Sequence, residues 1–212
     1  PRSRNGGRYY MLRSTQVKIL EDLCTKFENK INYDAGTQVL NPTDSYVDKN
    51  LARKEWEAFF VKRPHVIGLS GDLPGAGSYF TVDELGIPII ATRDKKGLFR
   101  AFVNACRHRG SQLVEGRGSA SLFVCPFHGW SYDADGQLKS ITDSKLFGSI
   151  EKNCRSLVAL PAVERYGLLW IHPEKDGVLD VEDLVGEIGP EIENWGSSEH
   201  VHCGEKILKK NM

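Results

Sequence analysis

The chain has 212 residues, and its 28 Lys and Arg balance 28 Asp and Glu, so the formal net charge is zero. That balance argues against nucleic acid as the main partner, and no apolar run reaches the roughly 18–20 residues needed to span a bilayer. No signal-peptide core opens the sequence, and the length allows one sizeable core with helical extensions or two small domains.

Residues 1–14 begin with an Arg- and Gly-rich stretch of little apolar pattern. They read as a disordered leader or an expression remnant, with Met11 a plausible native start. From Thr15, the residues Leu20, Leu23, Cys24, Phe27 and Ile31 follow helical spacing, with Ser14 or Thr15 available as N-cap. A loop from Asn32 to Asp44 leads to a second helix lined by Leu51, Trp56, Phe59 and Phe60. Asp44 or Ser45 can start it, and Pro64 forbids its continuation. Its aromatic stripe is a core signal, or else a surface for a partner. Residues 15–64 are therefore expected to form a helical arm.

From His65 the pattern changes to short strands: His65–Ser70, Ser78–Leu85, Ile87–Arg93, Leu98–Asn104 and Ser121–Val124. Asp94-Lys95-Lys96-Gly97 and Asp133-Ala134-Asp135-Gly136 read as hairpin turns, and Val163–His172 as a hairpin around Gly167. Residues 65–175 thus read as an antiparallel β module. Residues 176–212 read as a linker with one helical segment capped by Asp180 and interrupted at Gly189-Pro190. A strand from His200 to Leu208 follows.

The chemistry concentrates in Cys106-Arg107-His108 and Cys125-Pro126-Phe127-His128, with sixteen residues between His108 and Cys125. Each pair offers one thiolate and one imidazole. A [2Fe-2S] centre in which two His replace two Cys on one iron is the Rieske arrangement. Two ferric ions, two sulfides and two thiolates sum to a neutral centre, which accepts an electron more readily than a four-thiolate cluster. The same four residues meet the ligand count of a structural zinc site. Zinc fingers, however, usually pair Cys with Cys and His with His, whereas each pair here is mixed and lies between strand-like segments.

Cys24, Cys154 and Cys203 remain at spacings that suggest no disulfide frame. They are expected to be small buried hydrophobes in a reducing, cytoplasmic compartment. His65, His172, His200 and His202 are the histidines outside the motif. On a strand, His200 and His202 would share one face, as a solvated edge or a stray metal site.

Asn104-Ala105-Cys106-Arg107-His108-Arg109-Gly110 and Cys125-Pro126-Phe127-His128-Gly129-Trp130-Ser131-Tyr132-Asp133 carry the strings C-x-H-R-G and C-P-[FY]-H-G-W-x-Y. In these the chain resembles the N-terminal Rieske domain of ring-hydroxylating oxygenase large subunits, from about Trp56 to Trp170. The resemblance implies a mainly β fold with helical extensions: small antiparallel sheets, two N-terminal helices and one C-terminal helical segment. It implies two loops closing over a [2Fe-2S] cluster held by Cys106, His108, Cys125 and His128. Around them, Arg109 is a salt-bridging residue or a loop brace. Gly110 and Gly129 allow tight loop backbone, and Trp130 and Tyr132 exclude water, with the Tyr132 hydroxyl a donor to a ligand sulfur. Respiratory Rieske proteins carry an additional Cys in each loop, absent here, and a sulfide-bonding serine where Trp130 stands. Those differences imply a potential toward the low end of the Rieske range.

The family's large subunits are roughly twice this long, and their C-terminal half binds a mononuclear ferrous iron on two His and a carboxylate. No His-x4-His occurs here, so the resemblance implies an N-terminal fragment that carries electrons without oxygenating anything. It further implies a reductase or ferredoxin as donor, neighbouring subunits in a homotrimer or hetero-oligomer, and mono- or dioxygenation of an aromatic or similar small molecule. A self-standing Rieske ferredoxin is the alternative. Such ferredoxins are usually near half this length and lack the segments 15–63 and 180–212. A zinc-binding interaction module is the third possibility, and its lack of colour would distinguish it.

Overall fold

A computed structural model describes residues 2–5, 8–32, 36–148, 150–200 and 203–204. The chain divides into two compact units, Pro1–Ala52 and Arg53–Met212.

In the first unit, β1 (Arg2–Asn5) pairs antiparallel with β2 (Arg8–Met11), so the leader expected to lack structure carries two paired strands. The first predicted helix is α1 (Arg13–Glu28). Leu12, rather than Ser14 or Thr15, occupies its N-cap, and no side chain caps it. None of its residues is buried, and Leu20, Leu23 and Phe27 are exposed. Helical spacing reports that a face is apolar, not that something covers it.

The second predicted helix is two helices, α2 (Asp44–Val47) and α3 (Lys49–Glu55). Between them Asp48 turns extended, and its carboxylate accepts the N–H groups of Asn50 (2.8 Å) and Leu51 (3.2 Å). An aspartate that can cap the next turn competes with helix continuation. After α3 the chain widens into a π-helical segment, Trp56–Val61, which ends before Pro64. Trp56 stacks on Phe60 with centroids 4.8 Å apart, and Phe60 stacks on His65. Trp56, Phe59 and Phe60 are exposed, which corrects their reading as core.

The second unit holds three antiparallel sheets, in agreement with the predicted fold class. The largest has the order β11-β6-β5-β4-β7, from β4 (Ser78–Val82), β5 (Ile89–Arg93), β6 (Phe99–Val103), β7 (Arg117–Ser119) and β11 (Ala159–Leu160). A second, β12-β13-β3, joins β3 (His65–Leu69) to the hairpin of β12 (Ala162–Arg165) and β13 (Leu168–Ile171). The third, β10-β9-β8, contains β8 (Phe123–Val124), β9 (Ser131–Tyr132) and β10 (Leu138–Ser140). One core packs the first two sheets together through Phe80, Ile89, Ala91, Leu169 and Ile171. Another packs the first against the third through Ile90, Phe102, Phe123, Tyr132 and Leu138, and it includes Cys106 and Cys125.

The turns follow from the sequence. Asp94 accepts the N–H groups of Lys96 and Leu98, and Asp133 those of Asp135 and Gln137. Each carboxylate also binds a cation six residues on, Arg100 at 3.0 Å and Lys139 at 2.7 Å. The Tyr166-Gly167 turn has φ of +58° and +73°, the paired positive values of a two-residue hairpin turn.

Arg93 ties two sheets together. Its guanidinium donates to the carbonyls of Leu73, Gly97 and Ser70 and grips both oxygens of Glu164, at 2.8 and 3.0 Å. Arg93 holds the Glu164 carboxyl below its ordinary range, against a smaller upward push from burial. A depressed carboxylate contributes stability that is complete above its unfolded pKa and is lost as pH falls through the folded value. Glu164→Gln should therefore cost about 1 kcal/mol at neutral pH, and less as pH drops below about 4. Urea denaturation at pH 7 and pH 3.5 checks this, and a pH-independent difference would contradict it.

At the C-terminal side, Asp180 caps α4 (Val181–Val185) by accepting the Asp183 N–H at 3.1 Å, as predicted. Gly189-Pro190 does not interrupt the helical region but starts α5 (Gly189–Asn194), because proline fits the first turn of a helix. Val181 and Ile192 pack on Tyr166 and Trp170. Of the predicted strand His200 to Leu208, only His200, Cys203 and Gly204 are described, and His202 lies outside the described residues. No helix among the described residues is long and apolar enough to cross a membrane.

Candidate metal centre

Two loops leave the sheets side by side. The first follows β6 and runs from Asn104 to Val114; the second links β8 to β9. Both are closed by the same pair of backbone bonds. Cys106 N–H donates to Ser111 O and Gly110 N–H to Cys106 O, each at 2.8 Å. In the second loop, Cys125 N–H donates to Trp130 O at 2.8 Å and Gly129 N–H to Cys125 O at 3.0 Å. Gly110 and Gly129 sit at φ of +76° and +70°, where a side chain is strained. A Cβ on Gly129 would also stand 2.4 Å from Thr142 Oγ1.

The loops bring the four predicted ligands together in pairs. Cys106 and Cys125 are buried within the core that joins the first and third sheets. The His108 and His128 rings lie outward of them, with centroids 4.6 Å apart. Among the described residues no three His, Cys, Asp or Glu side chains converge on one point that could hold a metal ion. The donors form a sulfur pair and an imidazole pair.

The surroundings favour the charge states that such donors need at Cys125 and His108, while burial holds the Cys106 thiol above its ordinary range. Burial pushes the Cys125 thiol up, but the N–H groups of His128 and Phe127, Cys106 and the Ser111 hydroxyl outweigh it and leave the thiol below its ordinary range. Burial pushes the Cys106 thiol up, with Tyr132 and the His108 N–H pulling the other way. Burial, then the neighbouring His128 and Arg109, lowers the pKa of His108 and favours the neutral imidazole that a metal ligand requires. His108 Nδ1 is buried and has no hydrogen-bond partner among the described residues. Two buried sulfurs, two adjacent imidazoles and an orphaned ring nitrogen fit a [2Fe-2S] cluster.

Tyr132 is fully buried. Its hydroxyl accepts the Arg107 N–H at 3.0 Å and lies 3.5 Å from Cys106 Sγ. Burial and then Cys106 raise its pKa, so the phenol keeps its proton and can donate to the sulfur. Trp130 stacks on His108 with planes 10° apart. Arg109 is exposed and forms no ion pair or hydrogen bond with another described residue, so neither predicted role is seen. The other cysteines differ from expectation: Cys24, Cys154 and Cys203 are all exposed. The Cys154 thiol meets Glu151 at 3.4 Å.

Three contributors were missed in the sequence. Asn104 is fully buried, accepts the Leu113 N–H at 3.1 Å and donates to the Val114 carbonyl at 2.8 Å, closing the first loop. An asparagine ending an apolar strand two residues before a ligand was the available signal. Ser111 reaches across to Cys125. Phe147, in a 3-10 turn (Ser144–Phe147), sets its edge against His108 and Trp130 at 5.3 and 5.7 Å.

Comparison with known proteins agrees with this geometry. Residues 63–151 match the Rieske [2Fe-2S] domain family. The large oxygenase component of a 2,4-dinitrotoluene dioxygenase system from Burkholderia sp. (strain RASC) is 31% identical over 179 residues, covering 78% of this chain and 38% of that protein. The carnitine monooxygenase oxygenase subunit of Escherichia coli (strain K12) is 30% identical over 152 residues, covering 71% and 40%. A quaternary ammonium Rieske monooxygenase solved with L-carnitine superposes with a TM-score of 0.66 at 28% identity, over 72% of this chain and 44% of that one. The chain therefore spans about two fifths of the length of the curated relatives it matches. Its loops, paired donors and relatives agree: the chain carries a Rieske [2Fe-2S] domain over residues 63–151, and its relatives are Rieske oxygenase large subunits.

Proposed function

We propose that Cys106, His108, Cys125 and His128 hold a [2Fe-2S] cluster through which this chain passes single electrons within an oxygenase. When bound, the cluster supplies one-electron oxidation and reduction. Cys106 and Cys125 would hold one iron, and His108 and His128 the other. Tyr132 keeps its proton and donates it in a hydrogen bond to Cys106, while Trp130 and Phe147 shield the His108 ring from water. Gly110 and Gly129 permit the loop turns that aim the ligands inward.

The observation that carries this reading is the division of the donors into a sulfur pair and an imidazole pair. A structural zinc needs all four donors around one ion, whereas a two-iron centre needs them in twos. The oxygenase assignment over a ferredoxin is supported by similarity that runs well beyond the Rieske domain, over 78% of this chain in the dinitrotoluene dioxygenase component. In this reading a reductase or ferredoxin delivers the electrons. The destination would be a mononuclear ferrous iron held by a neighbouring subunit, which would supply O2 activation, in the cytoplasm.

Metal analysis of the purified chain tests the cluster. Two irons and two acid-labile sulfides per chain, with a red-brown colour, are expected; stoichiometric zinc without sulfide would overturn the assignment. Tyr132→Phe should retain both irons and lower the reduction potential, since a hydrogen bond to a ligand sulfur stabilises the reduced state. Voltammetry of the loaded variant checks this, and an unchanged potential would remove the hydroxyl from its assigned role.

A further inference from the structure

Two buried side-chain polar atoms lack a hydrogen-bond partner among the described residues, His108 Nδ1 and Trp130 Nε1. A ligand role accounts for the first. The second needs another explanation, because an indole nitrogen can only donate and buried donors are rarely left unpaired. Trp130 is 2% exposed, lies parallel to His108 at 5.0 Å and takes the edge of Phe147. Held on two sides, the ring cannot swing its N–H out to solvent.

Several nearby amides are already committed. Arg107 N–H goes to the Tyr132 hydroxyl, Gly110 N–H to Cys106 O and Gly129 N–H to Cys125 O. The N–H groups of His108, Phe127 and His128 point to the cysteine sulfurs. The indole is a buried side-chain donor still to be matched, and it lies against a ligand histidine.

We infer that the indole N–H of Trp130 donates a hydrogen bond to a sulfur of the bound cluster, which makes Trp130 a positioning residue that raises the reduction potential. The inference rests on the ligand assignment above. It revises the expectation from sequence that this position lacks a donor: a side-chain N–H takes the place of a serine hydroxyl. The bond favours the reduced state because reduction adds negative charge to the acceptor.

Trp130→Phe keeps an aromatic ring on His108 and removes the N–H together with part of the indole's buried volume. The variant is expected to retain wild-type iron and sulfide content and to show a lower midpoint potential in film voltammetry. A second measurement does not depend on the variant loading its cluster. Wild-type protein labelled with indole-15N tryptophan, reduced and examined by pulsed EPR, should show 15N coupling from one of its four tryptophans. An unchanged potential in the loaded variant, or absence of that coupling in the wild type, overturns the inference and gives the N–H to a buried water. Zinc in place of iron and sulfide in the wild type would instead bring down the ligand assignment on which the inference rests.

Discussion

Cys125→Ala is expected to abolish iron and sulfide binding and to lower the stability of the second unit by about 3 kcal/mol or more. The side chain is 2% exposed and sits in the core shared by the first and third sheets, so the loss is felt in packing as well as in ligation. A cluster bridging the Asn104–Val114 loop and the β8–β9 loop joins segments whose backbone bonds at Cys106 and Cys125 each close within one loop. Binding free energy that exists only in the folded state is folding free energy. Cys106→Ala should behave in the same way. Cys24→Ala, at an exposed position on α1, should leave the visible spectrum and unfolding midpoint unchanged. Iron and sulfide assays with thermal unfolding distinguish these variants. A full cluster in either Cys106→Ala or Cys125→Ala would show that the ligand set is assigned wrongly.

Much of this site is legible in the sequence because its signals are local. The Cys-x-His and Cys-x2-His spacings are set by short loops, and the loop glycines fall where the backbone takes positive φ. Asp94-x-x-Gly97 and Asp133-x-x-Gly136 announce turns through an aspartate that bonds the amides two and four residues on. What escaped depends on contacts between distant segments. Phe147 reaches His108 from a stretch with no periodicity, and Arg93 finds Glu164 seventy-one residues away. The aromatic stripe of Trp56, Phe59 and Phe60 reads as core and is exposed, because a periodic apolar face carries no information about its cover. Gly189-Pro190 was read as a break because the same pair that ends one helix can begin another.

Asn104→Ala should destabilise the second unit by about 2–4 kcal/mol, although the residue binds no metal. Its amide accepts from Leu113 N–H and donates to Val114 O, while its own N–H donates to Pro88 O at 2.8 Å. Truncation leaves the backbone bond but strands one buried donor and one carbonyl, and it empties the space of a fully buried side chain. The loop carrying Cys106 and His108 then loses the tie between its two ends, so cluster loading should fall along with stability. Asn104→Asp separates bonding from volume. The carboxylate can still accept from Leu113, but it cannot donate to Val114 and would be a buried negative charge facing a carbonyl oxygen. Burial raises the pKa of such a group, so its folded value would exceed its unfolded value and the penalty would be greatest at neutral pH and ease on acidification. Urea unfolding of both variants at pH 7 and pH 5, with iron content measured in parallel, checks this account. If Asn104→Asp matched wild-type stability at pH 7, the side chain would not be the two-way brace of the first ligand loop.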